Sequence, residues 1–215
     1  MSKYNRTYHL SFSPGATSDD RIAKDSSNLI GEKIVITEKI DGSNTSMVNN
    51  GVYARSHADF TTSPWSVQVR QLHSVIKNDI PKDMFLFGEN MQGIHSIEYS
   101  KLTSPFYLFG IRENNIWLNW QQVEDWAFLL NIPTVPVLFK GEVNSFDELK
   151  ELVENLTSEK SKLGGELEGI VVRNAGIFHN DDFKDNVQKW VRKNHVQTDI
   201  HWTKNWKQAN INYKW

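Results

Sequence analysis

Apolar positions along the chain follow two periods, one near two and one near 3.6, and elements can be read from where each holds. Lys33–Lys39 reads as a strand, followed by strands at Thr45–Val48 and Gly51–Arg55, with Asn49-Asn50-Gly51 as the hairpin turn between them. Trp65, Val69, Leu72, Val75 and Ile76 lie at helical spacing behind Ser63-Pro64, a helix start. Met84–Phe87, Phe106–Ile111 and Ile116–Trp120 read as strands, and Val123, Trp126, Ala127 and Leu130 as one face of a short helix. Thr134–Phe139 reads as a strand with prolines at its start. Ser145 and Glu148 make a capping-box signature for a helix carrying Phe146, Leu149, Leu152, Val153 and Leu156. Gly169–Arg173 and Asn186–Lys193 are the last strands. Many strands, several helices and no βαβ alternation predict an α+β fold with antiparallel sheets. The expected organisation is a single domain over residues 1–215, with 194–215 as a short C-terminal extension.

Composition narrows the class. Of 215 residues 39% are hydrophobic and 23% charged, which suits a soluble, core-forming chain rather than a disordered one. The net charge of -2 and pI near 6.4 give no global basic footprint, so a polyanion must be held by a local positive patch. Without cysteine there are no disulfides, thiolate metal sites or thiol nucleophiles. The opening MSKYNRTYHL has no signal-peptide character, and the longest apolar runs are too short to span a bilayer. A cytoplasmic protein is expected.

The chemistry centres on EKIDGSN, Glu38 to Asn44. A turn accounts for Asp41 and Gly42 but not for Lys39 at the strand end. Lys39 is either an exposed lysine beside a turn or a nucleophile. A nucleophile must be neutral, and from a free pKa of about 10.4 that takes roughly 4–5 kcal/mol near pH 7. Glu38 and Asp41 oppose it, so basic side chains, a metal ion or both must help. Downstream come Arg55 in YARSH, Glu89 in FLFGEN, Phe109 in FYLFGI, Glu168 in LEGIVVR, and Lys189 and Lys193 in QKWVRKNH. On a strand Lys189, Val191 and Lys193 share a face, away from Trp190 and Arg192. Two acids and two strand lysines make a cradle for a nucleotide phosphate and a divalent cation.

In that order these motifs resemble those of the covalent nucleotidyltransferases: ATP-dependent RNA and DNA ligases and mRNA capping enzymes. The match is nearest the phage-type RNA ligases of the second class, and it runs from about Glu38 to Lys193. The resemblance implies a nucleotidyltransferase (adenylation) domain of antiparallel sheets flanked by helices, using ATP and Mg²⁺. It implies that Lys39 forms a lysyl-AMP and that Asn44 and Arg55 meet the nucleotide sugar or phosphate. Glu89 would grip ribose hydroxyls, and Phe109 would stack on the base. Glu38, in the same motif, belongs to the nucleotide-binding set. Glu168 would bind the metal or orient Lys39, and Lys189 would touch the α-phosphate. The family pattern has lysines two apart in the last motif; here Val191 takes the second place, leaving Lys193 or Arg192 for that contact. The partner implied is RNA with 5′-phosphate and 3′-hydroxyl ends, with a further protein as a possible source of nucleic-acid binding. DNA ligation, GTP-dependent capping and non-catalytic nucleotide or RNA binding are the competing functions.

The tail interleaves Trp202, Trp206 and Trp215 with Lys204, Lys207 and Lys214. These either stack bases and meet phosphates or form a terminal helix whose tryptophans pack on the domain. The groups His195, Asp199, His201 and His179, Asp181, Asp182 match no metal-ligand spacing and read as solvated polar loops. Arg70 on the first helix reads as a surface residue, with RNA contact as the alternative.

Overall fold

Two sheets carry the fold, and the chain crosses from one to the other at the EKIDGSN corner. The computed structural model describes residues 3–55, 59–193 and 202–213. Its strands are β1 Tyr8–His9, β2 Lys33–Lys39, β3 Ser43–Val48, β4 Gly51–Ala54, β5 Met84–Asn90, β6 Gly93–Ile94 and β7 Phe106–Glu113. After these come β8 Ile116–Trp117, β9 Val137–Glu142, β10 Gly169–Asn174, β11 Phe178–His179, β12 Val187–Val191 and β13 Lys207–Gln208. The helices are α1 Val67–Ile76, α2 Trp120–Leu129, α3 Phe146–Thr157 and α4 Phe183–Asn186. The first sheet has the order β1-β12-β10-β2-β9, the second β11-β8-β7-β5-β3-β4, and β13 pairs with β6. Paired strands are antiparallel except β1, which runs parallel to β12. The expected α+β fold with antiparallel sheets is present.

Register decides which residues meet. Lys39, Gly169 and Val191 form one cross-strand row, and Thr37, Val171 and Lys189 another, both on the same face of the first sheet. The alternate rows, such as Ile36 with Val172, face away and pack with Leu149 and Val153 of α3. Because β2 is covered on both faces, Ile34, Val35 and Ile36 run apolar without alternation, followed by the buried polar Thr37 and Glu38. The second sheet buries Met47, Leu86, Leu108 and Ile111 against Val69 and Leu72 of α1 and Val123 and Ala127 of α2. A further cluster of Phe87, Trp117, Phe178, Phe183 and Val187 joins the two sheets.

Several boundaries differ from expectation for local reasons. Trp120 opens α2 instead of ending a strand, because Asn119 and Gln122 form a reciprocal capping box. A 3₁₀ turn at Pro64–Ser66 precedes α1, and Val75 stands off the buried face, 70% exposed. Strand β9 begins only at Val137, as Pro133 and Pro136 offer no N–H to a ladder. Strand β5 continues to Asn90, so Glu89 lies inside it. Helix α4 takes Asn186, and β12 ends at Val191. Ser145 caps α3 through the Glu148 N–H, while the Glu148 carboxylate turns to the Asn144 N–H. Arg70 ties the preceding loop through the Thr61 and Ser63 carbonyls.

The tail forms no long helix. A 3₁₀ turn at Trp202–Asn205 and the β13–β6 pairing fold it back, with Trp202 and Trp206 against Trp65 and Trp202 stacked on His95. Trp215, Lys214, His195, Asp199 and His201 lie outside the described residues.

Candidate active site

Between the two sheets lies a cleft of about 650 Å³, lined by Lys39, Asn44, Arg55, Glu89, Phe109 and Lys189 among others. Lys39 reaches it from the end of β2, where the chain leaves one sheet for the other. Its Nζ donates to Glu168 Oε1 at 2.5 Å, and Glu168, just ahead of β10, is buried at 5% exposure. Burial depresses the Lys39 pKa, but the Glu168, Glu89 and Asp41 carboxylates outweigh it, and the net shift is upward. In this state Lys39 is an ammonium ion.

The rest of K-x-D-G is structural. Asp41 Oδ2 accepts from the Ser96 N–H, the Ser96 hydroxyl and the Ile97 N–H at 2.6–3.0 Å, clamping the loop after β6. A Cβ at Gly42 would stand 2.6 Å from the Asn90 carbonyl oxygen and 2.7 Å from Met91 Sδ, so only glycine allows the close approach of β3 to β5.

The second sheet supplies the opposite wall. Asn44 on β3 sits directly across from Glu89 on β5. Burial pushes the Glu89 carboxyl up to about 8, with Lys39 pulling down and Glu168 and Asp41 adding to the rise. Phe109 is the extra residue of a bulge, because Phe87 pairs with Gly110 and Gly88 with Leu108. The bulge re-aims that ring into the cleft. Arg55 follows β4, its N–H on the Asn44 carbonyl. Ser56 and His57 of the YARSH motif lie outside the described residues.

Lys193 and Arg192 stand apart from this group, whereas Glu38 lines the cleft while its carboxylate is engaged elsewhere. The Glu38 side chain lies on the face of β2 opposite Lys39, where Ser161 Oγ and the Lys162 N–H each donate to it at 2.6 Å. Burial raises its pKa. Lys193 is exposed beyond the end of β12 and does not line the cleft. Arg192 lines a separate hollow with Lys101 and Lys160, its guanidinium 3.6 Å from Glu166. Val191 keeps the cleft-face register but is 1% exposed, with Ser13 Oγ on its N–H and the Gly15 N–H on its carbonyl.

Other cleft residues escape a sequence reading. Tyr4, Asn5, Arg6 and Thr7 line it from the N-terminal arm, and Asp20 holds Lys189 at 3.4 Å and His9 at 3.3 Å. The Tyr4 ring packs 5.0 Å from that of Phe109, and burial pushes its hydroxyl up to about 12. Lys189 is shifted down, first by burial, against the upward pull of Asp20. Arg173 shares the cleft face with Val171, donates to the Leu118 carbonyl, and is lowered by burial to about 10. Period-two spacing within GIVVR could have pointed to Arg173. Nothing local marks the arm, which the β1–β12 pairing puts in place. Among the described residues no three His, Asp or Glu side chains form a metal-binding cluster, and His179 and Asp181 are an exposed pair.

Comparison with known proteins follows the geometry. A mutant of Naegleria gruberi RNA ligase solved with ATP and Mn is 19% identical, with a TM-score of 0.59, over 90% of this chain and 56% of that one. Another mutant of the same enzyme, with AMP and Mn, gives 19% and 0.58 over 89% and 56%. An archaeal ATP-dependent RNA ligase gives 15% and 0.54 over 79% of this chain and 45% of its own. The chain thus spans about half the length of these structures, and the likeness is one of fold. No curated protein matches it. The profile of the RNA ligase family matches residues 32–191, the stretch that runs from β2 to the end of β12 and carries the motifs from EKIDGSN to LEGIVVR and the first half of QKWVRKNH. By that match the chain belongs to the RNA ligase family.

Proposed function

We propose that this chain is an ATP-dependent RNA ligase, a nucleotidyltransferase unit over residues 1–215 that joins 5′-phosphate to 3′-hydroxyl ends through a lysyl-AMP. The observation that carries the reading is Lys39 Nζ held 2.5 Å from Glu168 in a cleft shared with Asn44, Arg55, Glu89, Phe109 and Lys189. In the first step Lys39 gives up a proton, for which Glu168 Oε1 is the adjacent acceptor. Its lone pair then forms a bond to the α-phosphorus, and the bond to pyrophosphate breaks. Lys189 faces the phosphates, Glu89 the ribose hydroxyls and Phe109 the base. A 5′-phosphate oxygen then displaces Lys39, and a 3′-hydroxyl displaces AMP.

The residues present fit a divalent cation. Glu168 Oε2 is buried with no hydrogen-bond partner among the described residues, a hard oxygen next to the Lys39 ammonium's partner atom Oε1. Glu168 would hold Mg²⁺, with ATP phosphates and water completing an oxygen shell. When bound, the ion neutralises phosphate charge and offsets the carboxylates that keep Lys39 protonated.

RNA is the proposed partner, and a second protein the proposed source of further RNA contacts. No helix among the described residues is long and apolar enough to cross a membrane, and a cytoplasmic site is proposed. The test is end joining: a nicked RNA duplex with 5′-phosphate and 3′-hydroxyl ends, ATP and Mg²⁺, read on a denaturing gel. Sealed RNA is the expected product. Sealing of DNA nicks in preference would favour a DNA ligase, labelling by GTP alone a capping enzyme, and ATP binding with neither adduct nor product a binding module.

A further inference from the structure

The last motif lacks its second lysine, and neither Lys193 nor Arg192 lines the cleft. Placing a lysine at Val191 would bury it under the Ser13–Gly15 loop that closes on the strand end. A further cation lines the cleft together with Lys189, and it comes from the other end of the chain. Strand β1 pairs in parallel with β12, His9 opposite Lys189, so the residues ahead of β1 run along the cleft. Arg6 Nη2 donates to the Asp19 carbonyl at 2.8 Å. The next residue, Asp20, holds Lys189 through its carboxylate, which Thr17 also braces by its N–H and hydroxyl at 3.1 and 3.0 Å. Consecutive residues of one turn, the Asp19 carbonyl and the Asp20 carboxylate, therefore hold the Arg6 guanidinium and the Lys189 ammonium, both of which line the cleft.

Resting on the ligase reading, we infer that Arg6 is the second phosphate-contacting residue of the site, binding the β- and γ-phosphates of ATP that leave as pyrophosphate. A guanidinium suits this better than an ammonium, because its planar fork can take two phosphate oxygens at once. One N–H is engaged by the Asp19 carbonyl, and the fork carries further N–H donors for phosphate oxygens. The other arginines of the cleft have different stations. Arg55 follows β4 on the second sheet, and Arg173 lies at the aromatic end over the Trp120 and Phe178 rings.

The experiment is calorimetric titration of the full chain with ATP and with AMP, in Mg²⁺, on a Lys39→Ala background that prevents turnover. Adding Arg6→Ala is expected to weaken ATP by roughly 10-fold or more, the worth of a charge-assisted contact, and AMP by less than about 2-fold. Arg6→Lys should recover part of the loss, and Arg21→Ala, an exposed arginine of the same arm outside the cleft, should lose nothing. ATP affinity within about 2-fold of the parent would overturn the inference. So would equal weakening of ATP and AMP, or a parent that binds no ATP. The wild-type chain, assayed in parallel for covalent AMP, reads the ligase proposal separately. An adduct there with ATP affinity intact in Arg6→Ala defeats Arg6 alone; no adduct, with ATP selectively weakened, upholds Arg6 and defeats the ligase.

Discussion

At the scale of single residues, three neighbours in one short motif do three different jobs. Lys39 faces the cleft, Asp41 clamps the loop at Ser96 and Ile97, and Gly42 lets β3 meet β5. Glu89 shows what the cleft costs. Its carboxyl is raised from an ordinary 4.5 to about 8, chiefly by burial, so between those values the folded chain holds a proton that the unfolded chain has lost. Stability from this group is full below about pH 4.5, falls as pH rises through 8, and is flat above. Urea midpoints from pH 5 to 8 should therefore decline in the wild type. Glu89→Gln should remove about 2 kcal/mol of that decline, less than the full shift because the cleft is open to water. Identical pH profiles for the two chains would contradict this account of Glu89.

At the scale of elements, the corner between β2 and β3 sets the site, since it turns Lys39 toward Glu168 and begins the opposite wall within four residues. Gly42→Ala should cost about 2 kcal/mol in urea unfolding, because its Cβ meets backbone at Asn90 that cannot swing aside. A stable variant would show that the corner has slack. Much at this scale was legible. The apolar run of β2 and the period of α3 are local signals, while the order of the motifs, through the family it resembles, grouped Glu38, Lys39, Asn44, Arg55, Glu89, Phe109, Glu168, Lys189 and Lys193, of which Lys193 lies outside the cleft. The side-chain direction of Glu38 was also open to period-two reasoning, which opposes it to Lys39. The capping box at Asn119 escapes a reading by period. Ile116, Trp117 and Leu118 continue as strand up to Trp120, and the polar Asn119 passes as an alternating position. The bulge that frees Phe109 depends on pairing between β5 and β7, which no single segment announces.

At the scale of the molecule, the cleft is a long-range product. Lys39 and Glu168 are 129 positions apart, and Asp20 and Lys189 are 169 apart. Each lysine is matched by a carboxylate from a distant segment, so both are held by ion pairs that span the chain. The N-terminal arm could not be read locally, because its place comes from β1 beside β12 and not from any pattern of its own. The tail closes on the other side, where Trp202 and Thr203 reach the cleft. All of this converges on Lys39, the proposed nucleophile. Intact-protein mass spectrometry after incubation with ATP and Mg²⁺, followed by peptide mapping, addresses it directly. The account predicts a gain of one AMP on the peptide containing Lys39 and no gain in Lys39→Ala. An unmodified wild-type chain, or AMP on a different lysine, would contradict it.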